Sequence, residues 1–595
     1  MGKAFAAAGY DASMGRVGVS ARPDLAEYQC NGAMAGAKQY HKAPFMIADE
    51  VAAQLQDSMV FKDVTVVKPG FINLNLKEEY LRDYLQEMAE SEKFGMPLPE
   101  TGKTVVLDYG GPNVAKPLHV GHLRSAVIGE AIKRMVRYHG DTAIGDIHLG
   151  DWGLQMGLVI TELKHRQPEL PYFDESYTGE YPAEAPFTVA DLEEIYPFAS
   201  GKSKEDEAYH AEALENTHKL QSGDRGYRAL WQHILNISVA DMKRNYANLA
   251  VTFDLWNGES TVNDLIAPMV EKMKADGKAY ESEGALVVDV AEESDAKEVP
   301  PCMILKSDGA ALYTTTDLAT IQDRRDNYHP DEIIYITDKR QALHFVQVFR
   351  AAKKCGLCED KTELRHIGFG TVNGKDGKPF KTRDGGVMRL ETLIQDIYNE
   401  MLGKIQTNPD ISQEEAEDTA RKVALAAIKY GDLSNQASKD YIFDTEKFTS
   451  FEGDTGPYIL YTIVRIKSIL AKYQAAGGRD AKELKIAAPL SKAEKSLMQD
   501  IAGFGAMMEG AYNECAPHRI CAYIYQLSND FNSFYHGTRI LVEEDETKKE
   551  GWIALLQLTK GILEDCISVL GFEAPGICHS ALMIRRTFAK TDALM

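Results

Sequence analysis

The fold is decided by Val105-Val106-Leu107-Asp108-Tyr109-Gly110-Gly111-Pro112-Asn113-Val114-Ala115-Lys116-Pro117-Leu118-His119-Val120-Gly121-His122. Its first five residues form an apolar run of strand length, which the glycine pair and proline end. Apolar residues then return four apart, at Leu123, Val127, Ala131 and Met135, up to Gly140. That spacing predicts an amphipathic helix with a glycine stop. The stretch is therefore a strand-to-helix crossing with two histidines at the helix start. Residues three apart there share one face, so both imidazoles can reach one ligand. Gly121 removes a side chain between them, which lets a flat group such as adenine approach the backbone. The helix N-terminus adds positive potential and free N–H donors for phosphate oxygens.

Outward from this crossing the alternation continues. Thr142 to Ile147 reads as a strand, Glu332 to Thr337 as another, Gln341 to Lys354 as a helix, and Ile367 to Thr371 as a further strand. Strands alternating with helices imply a doubly wound parallel sheet, a Rossmann-like α/β domain over 99–400, with ligands at the carboxyl ends of its strands. An insertion at about 165–305 interrupts it. Pro171, Pro182 and Pro186 mark a loop, Thr188 and Asp191 a helix cap, and charged helices run on through Asn248. Its run Lys204-Glu205-Asp206-Glu207 reads as a solvated helix face without chemistry. Residues 1–98 form a small α+β domain: a helix from Pro44 to Gln56, strands Val64 to Val67 and Phe71 to Leu76, and a turn at Lys68-Pro69-Gly70. Met96-Pro97-Leu98-Pro99 is the linker. A helical connector spans 401–440. Over 441–578 strand patterns vanish, and Ile459 to Lys472, Lys492 to Tyr512, Arg519 to His536 and Gly551 to Leu570 read as an all-α bundle. The extension 579–595 holds Arg585, Arg586 and Lys590 against Asp592. It either folds against an acidic surface, reaches a phosphate backbone or stays without structure.

The 595 residues are too many for one core and suit three or four domains. A composition 44% hydrophobic and 26% charged is that of a soluble globular protein. No run long and apolar enough to span a membrane occurs, and the N-terminus carries neither a secretory signal nor a myristoylation pattern. Eight scattered cysteines suit a reducing cytoplasm. Cys355 and Cys358 form a lone CxxC without a second pair, which reads as a helix end with two thiols rather than a zinc site. The net charge of −23 argues against a protein that coats nucleic acid, but not against a local basic groove.

The run from Pro112 to His122 resembles the HIGH signature of class I aminoacyl-tRNA synthetases, in the longer form of the arginyl-tRNA synthetase family. Gly150-Asp151-Trp152-Gly153, Tyr313-Thr314-Thr315-Thr316-Asp317, Phe380-Lys381-Thr382-Arg383 and Asp454-Thr455-Gly456-Pro457-Tyr458 match that family in order. The resemblance runs from about Glu27 to about Pro575. It implies ligation of L-arginine to tRNA(Arg) through an arginyl-adenylate, with ATP as substrate, Mg2+ accompanying it, and no protein-bound structural metal. A cytoplasmic monomer without membrane contact is the expected setting.

The reaction needs alignment and neutralisation of phosphate charge. His119, His122, Lys116 and Lys381 are the catalytic candidates, and His119, Gly121, His122, Lys378 and Lys381 the ATP contacts. Lys378 and Lys381 lie in the glycine-rich stretch Gly374 to Gly386, which looks like a diverged KMSKS loop with Lys381 at the second lysine position. A guanidinium carries five fixed donors and calls for carboxylates and amide oxygens, with an aromatic face as cover. Asp108, Tyr313, Asp317 and Gln341 map onto the family's arginine pocket, with Asn113 facing the substrate backbone. The family commonly has glutamate at the position of Asp108. Asp317 also reads as a helix N-cap, and His344, on the helix of Gln341, as either pocket or packing. Asp151 is expected to cap the helix that follows it, and Trp152 to pack.

By the same resemblance the N-terminal domain contacts the tRNA elbow, Asn73 included, and the C-terminal bundle binds the anticodon. Tyr458, Tyr461, Arg465 and Arg539, with Phe534 and Tyr535, are the bundle's stacking and phosphate-binding candidates, although each aromatic reads equally as core. The competing readings are a class I ligase for another amino acid, a stand-alone nucleotidyltransferase and a non-catalytic RNA-binding relative. The acidic pocket set opposes the first, the C-terminal bundle the second, and the histidine pair with its lysine loop the third.

Overall fold

The computed structural model describes residues 1–307, 309–378, 388–407 and 411–576. Lys381 and the extension 579–595 lie outside the described residues. The described residues form two compact units, one of 1–96, 466–506 and 526–562, the other drawn from 97–465, 507–525 and 563–576.

In the first unit, strands β1 (Val17–Val19), β2 (Tyr28–Cys30), β3 (Phe61–Val67) and β4 (Phe71–Leu76) make an antiparallel sheet in the order β1-β2-β4-β3. The apolar alternation of β4 buries Ile72 and Leu74 against Phe5, Ile47 and Val51. Lys495, on the helix Lys492–Ala502, ties down one end of the inner strands β2 and β4. Its ammonium reaches Glu27 at 2.6 Å, the Leu76 carbonyl at 3.0 Å and Glu78 at 3.2 Å. The single helix expected from Lys492 to Tyr512 is two, Lys492–Ala502 and Phe504–Glu514, because Gly503 breaks it.

The second unit holds the parallel sheet. Strands β5 (Thr104–Asp108), β6 (Thr142–Asp146), β10 (Glu332–Asp338) and β11 (Glu363–Phe369) lie in the order β11-β10-β5-β6. The chain moves from β5 to β6 on one side and returns to β10 on the other, so the strand order reverses between β5 and β10. Register places Tyr335 and Asp146 on either side of Asp108, at the carboxyl ends. The helix Leu123–His139 ends on left-handed Gly140 and packs so closely that a Cβ at Gly129 would sit 2.2 Å from the Tyr109 ring.

The insertion contributes the helices Val189–Glu205, Glu207–Gln221 and Arg225–Asn248, and beyond them the antiparallel sheet β7 (Tyr280–Ser282), β8 (Ala285–Val288) and β9 (Cys302–Leu305). The acidic run at 204–207 is a helix junction rather than a plain solvated face. Asp206 accepts from the backbone N–H of Ala208 (3.0 Å) and Tyr209 (3.1 Å) and starts the second helix. Cys302, Cys355 and Cys358 are free thiols in or against one apolar core. Among the described residues, no helix is long and apolar enough to cross a membrane.

Candidate active site

The crossing after β5 is built by backbone that only small residues tolerate. Gly110 (φ +92) turns the chain, and its N–H donates to Ser125 Oγ at 2.8 Å, which in turn donates to the Ile336 carbonyl at 2.8 Å. The segment then runs parallel to Gly150, with Val114 N–H on the Gly150 carbonyl (3.0 Å) and Gly150 N–H on the Pro112 carbonyl (3.1 Å). A Cβ at Gly150 would lie 2.1 Å from Asn113 Oδ1. The first glycine of Gly150-Asp151-Trp152-Gly153 therefore makes room for Asn113.

His119 and His122 cap one another. His119 Nδ1 accepts from Gly121 N–H (3.0 Å), and His122 Nδ1 accepts from His119 N–H (3.1 Å). Their ring centroids are 4.0 Å apart. Since both Nδ1 atoms accept, each neutral ring carries its proton on Nε2. Burial and then the Lys116 charge lower the His119 pKa. Burial first, then His119 and Lys116, bring His122 down to about 3. The pair thus offers neutral N–H donors, and positive charge comes from Lys116. Gly121 also gains a different reason: a side chain there would meet the His119 ring at 2.7 Å. The space is taken first by the histidine's own imidazole.

Backbone pairing brings in the lysine-rich segment. Val120 N–H donates to the Met388 carbonyl (3.0 Å), Leu390 N–H donates to the Leu118 carbonyl (2.9 Å), and His119 bridges Arg389. The C-terminal stem of the expected KMSKS-like loop is thereby strapped beside the histidines. On the other stem Lys378 is exposed, its carbonyl accepting from Gly374 N–H at 2.8 Å.

The carboxyl ends of β5, β6 and β10 carry the acidic residues. Asp108 faces inward, where Arg324 Nη2 bonds both Asp108 Oδ2 (2.7 Å) and Asp146 Oδ2 (2.8 Å). The expectation of Asp108 as a substrate carboxylate is corrected to this extent: an internal guanidinium already occupies that oxygen. Burial nonetheless raises its pKa against the Arg324 charge. Asp317 lies in the second turn of the helix Tyr313–Tyr328, whose N-cap is Leu312, so it is not a cap. Its Oδ2 pairs with His344 Nε2 at 2.6 Å. Tyr313 opens the same helix and is 71% exposed. Gln341 is exposed, one residue before the helix Ala342–Lys354.

Two neighbours escaped sequence reasoning. Glu259 interacts with Asp151, Asp317 and Tyr313; burial above all, then its acidic neighbours, raise its pKa to about 7. His148 sits in left-handed backbone (φ +45), both ring nitrogens buried without a hydrogen-bond partner, within electrostatic reach of Asp108, Asp151 and Glu259. His148 lies in the short loop after β6 and Glu259 opens the one-turn helix Glu259–Val262, where no periodicity marks them. The histidine before Gly150-Asp151 was the available signal. Asp151 is corrected as well. The helix Leu154–Arg166 is capped by Gly153, and Asp151 instead accepts from Ser260 N–H (2.9 Å) and Oγ (2.5 Å). Trp152 packs edge-on to Trp231 and donates to Asn263 Oδ1 at 3.0 Å.

The RNA candidates divide between the units. Tyr458, Tyr461 and Arg465 share one half-buried stripe of the helix Gly456–Ala475, with the Arg465 guanidinium 4.4 Å from the Tyr461 ring centre. Arg539 belongs to the other unit and is exposed. Phe534 is wholly buried and is core. Asn73 is 5% exposed, its Oδ1 accepting from Gln29 Nε2 at 2.9 Å, so its side chain is held within the sheet.

The family model for the class I (R) tRNA synthetase catalytic domain matches residues 85–445. The chain belongs to the arginyl-tRNA synthetase family. The arginyl tRNA synthetase N-terminal domain matches residues 3–76, and the DALR anticodon binding domain 459–576. The chain is 61% identical to the arginine–tRNA ligase of Agathobacter rectalis over 582 residues, covering 96% of this chain and 97% of that one. It is 55% identical to that of Alkaliphilus oremlandii over 571 residues, with the same coverages of 96% and 97%. In fold it is similar to the Thermus thermophilus arginyl-tRNA synthetase, with TM-score 0.76, 24% identity, and 96% of this chain and 98% of that one covered. The Plasmodium falciparum arginyl-tRNA synthetase gives TM-score 0.77 at 24% identity over 94% of each chain.

Proposed function

We propose that the chain is an arginine–tRNA ligase whose active site is the crevice between the histidine pair and the acidic cluster. The observation that supports this reading is the cluster in which Glu259 interacts with Asp317 and Tyr313, with Glu259 N–H on the Leu149 carbonyl at 3.0 Å, next to the Gly150 that pairs with Asn113 on the segment leading to His119 and His122. An apolar amino acid would bring no cation to these carboxylates, which otherwise have only His344 on Asp317 and the Trp152 backbone N–H on Glu259. A guanidinium supplies the donors they lack, and its charge returns Glu259 to the carboxylate form. The Tyr313 ring covers the cation and Gln341 lines the same arginine pocket, while Asn113 faces the substrate backbone. Asp108, held by Arg324, shapes the floor.

Arginine's carboxylate oxygen attacks the α-phosphorus of ATP, taken as its Mg2+ complex. An O–P bond forms, the bond to the β-phosphate oxygen breaks, and diphosphate leaves. His119 and His122 donate their Nε2–H groups to phosphate oxygens, and Lys116, with Lys378 and Lys381, supplies positive charge to meet the negative charge that accumulates on the leaving diphosphate. The terminal ribose hydroxyl of tRNA(Arg) then attacks the arginyl carbonyl and AMP leaves. The N-terminal domain meets the tRNA elbow, and the helical C-terminal domain reads the anticodon through the Tyr458, Tyr461 and Arg465 stripe and through Arg539. The enzyme works as a cytoplasmic monomer, which sedimentation at micromolar concentration tests.

Arginine-dependent ATP–diphosphate exchange, run with and without tRNA, tests the reaction. Exchange driven by arginine and not by lysine or an apolar amino acid is the expected result. Equal exchange with an apolar amino acid would overturn the assignment.

A further inference from the structure

The helix Val189–Glu205 lies in the insertion, for which the sequence offered no chemistry. Its start is fixed by a reciprocal cap between Thr188 and Asp191, and Leu192, Ile195 and Ala199 anchor it by burial. Two of its side chains one turn apart, Glu193 and Tyr196, meet the active-site segment. The Lys116 ammonium lies over the Tyr196 ring, 4.5 Å from its centre. Glu193 Oε2 accepts from Arg389 Nη2 at 2.5 Å, and the Glu193 side chain is only 16% exposed. Arg389 is the residue whose backbone bridges His119. Tyr196 also interacts with Tyr313 at the acidic end of the crevice. One helical face thus touches the lysine before the histidines and the strap beside them, and lies within electrostatic reach of the aromatic that opens the arginine pocket.

A lysine side chain has four rotatable bonds and is ordinarily free to wander. Over an aromatic face it is held without losing its charge or its N–H donors to a counter-ion. Lys116 has no carboxylate partner among the described ion pairs, so nothing there neutralises it. We propose that Tyr196 and Glu193 are positioning residues for the activation step: Tyr196 holds the Lys116 ammonium at the phosphate end of the crevice, and Glu193, through Arg389, fixes the strap beside His119. This rests on Lys116 as a phosphate contact, as given under the proposed function.

Diphosphate exchange by Tyr196→Phe, Tyr196→Leu, Lys116→Ala and the double variant Lys116→Ala/Tyr196→Leu tests the proposal. Tyr196→Phe keeps the aromatic face and should retain wild-type kinetics. Tyr196→Leu should raise the KM for ATP about 3- to 30-fold, the span of a cation–π contact, and move the KM for arginine less than 2-fold or so. The double variant should be no slower than Lys116→Ala. If Tyr196→Leu adds its full effect in the Lys116→Ala background, or if Tyr196→Phe is as impaired as Tyr196→Leu, the positioning role is overturned while the phosphate role of Lys116 stands. Unchanged exchange in Lys116→Ala would instead remove that phosphate role, and this inference with it. Tyr196 also packs against the core of Leu158, Ala199, Tyr209 and Ala213, so a melting curve accompanies each variant. Should Tyr196→Leu not fold, Glu193→Gln carries the test: kcat for exchange should fall roughly 2- to 5-fold, the scale of a partly exposed ion pair, and no further when Arg389→Gln is added. Additive losses there would overturn it.

Discussion

Asp317→Asn isolates the electrostatic part of arginine recognition. In the structure Asp317 Oδ2 is engaged by His344 Nε2 at 2.6 Å, which leaves Oδ1 for the substrate. Asparagine keeps that shape, with its amide NH2 turned to a His344 Nε2 that accepts and its carbonyl oxygen toward the guanidinium. What is lost is the negative charge. A hydrogen bond to a charged partner contributes about 1.5–3 kcal/mol. At about 1.4 kcal/mol per decade, this is roughly 10- to 150-fold. The Asp317 side chain is 20% exposed, so solvent screening places the effect in the lower half, about 10- to 40-fold in the KM for arginine. The KM for ATP should stay within about 2-fold, because ATP brings no cationic group to that end of the crevice. Diphosphate exchange at saturating ATP, then at saturating arginine, separates the two constants, and a melting curve shows that the fold is intact. An equal rise in both would mean that Asp317 shapes the crevice without binding the guanidinium. An unchanged arginine KM in a folded variant would refute the pocket altogether.

His122→Ala removes one preorganised N–H donor, and exchange should slow by about 100- to 1,000-fold with little change in melting temperature; near-normal exchange would remove the histidine from the phosphate site. Gly150→Ala drives a methyl group to 2.1 Å from Asn113 Oδ1, so the KM for arginine should rise several-fold unless Asn113 swings away, which a structure of the variant would show. Lys429 is fully buried on the carbonyls of Gly571 (2.8 Å) and Ala250 (3.2 Å), and burial lowers its pKa from 10.5 to about 7. Between those values the unfolded chain binds more protons than the folded one, so this lysine makes stability rise with pH. Over pH 7.5 to 9 wild type should gain roughly 2 kcal/mol relative to Lys429→Met; parallel denaturation curves at the two pH values would show the lysine to be charged in the fold.

Local patterns in the chain were enough for the parallel sheet, the helix from Leu123 to Gly140, the histidine pair and the grouping of Tyr313 with Asp317, because period and punctuation act over a few residues. Motif order along the chain was enough for the family. The partners of those residues were not legible. Asp108 and Arg324 are 216 positions apart in sequence, and only the return of the chain to β10 brings them together. The same is true of Lys116 with Tyr196, His119 with Arg389, and Glu259 with Asp317, each joining segments that no periodicity links. Asn73 and Phe534 show the converse, since residue type leaves a surface role open while burial is set by what packs above it. Charge state follows the same division. That His119 and His122 were histidines was written in the chain, but their neutrality comes from burial and from the lysine beside them. Desolvation and Coulomb interactions depend on distance in space, and sequence reports distance only along the chain.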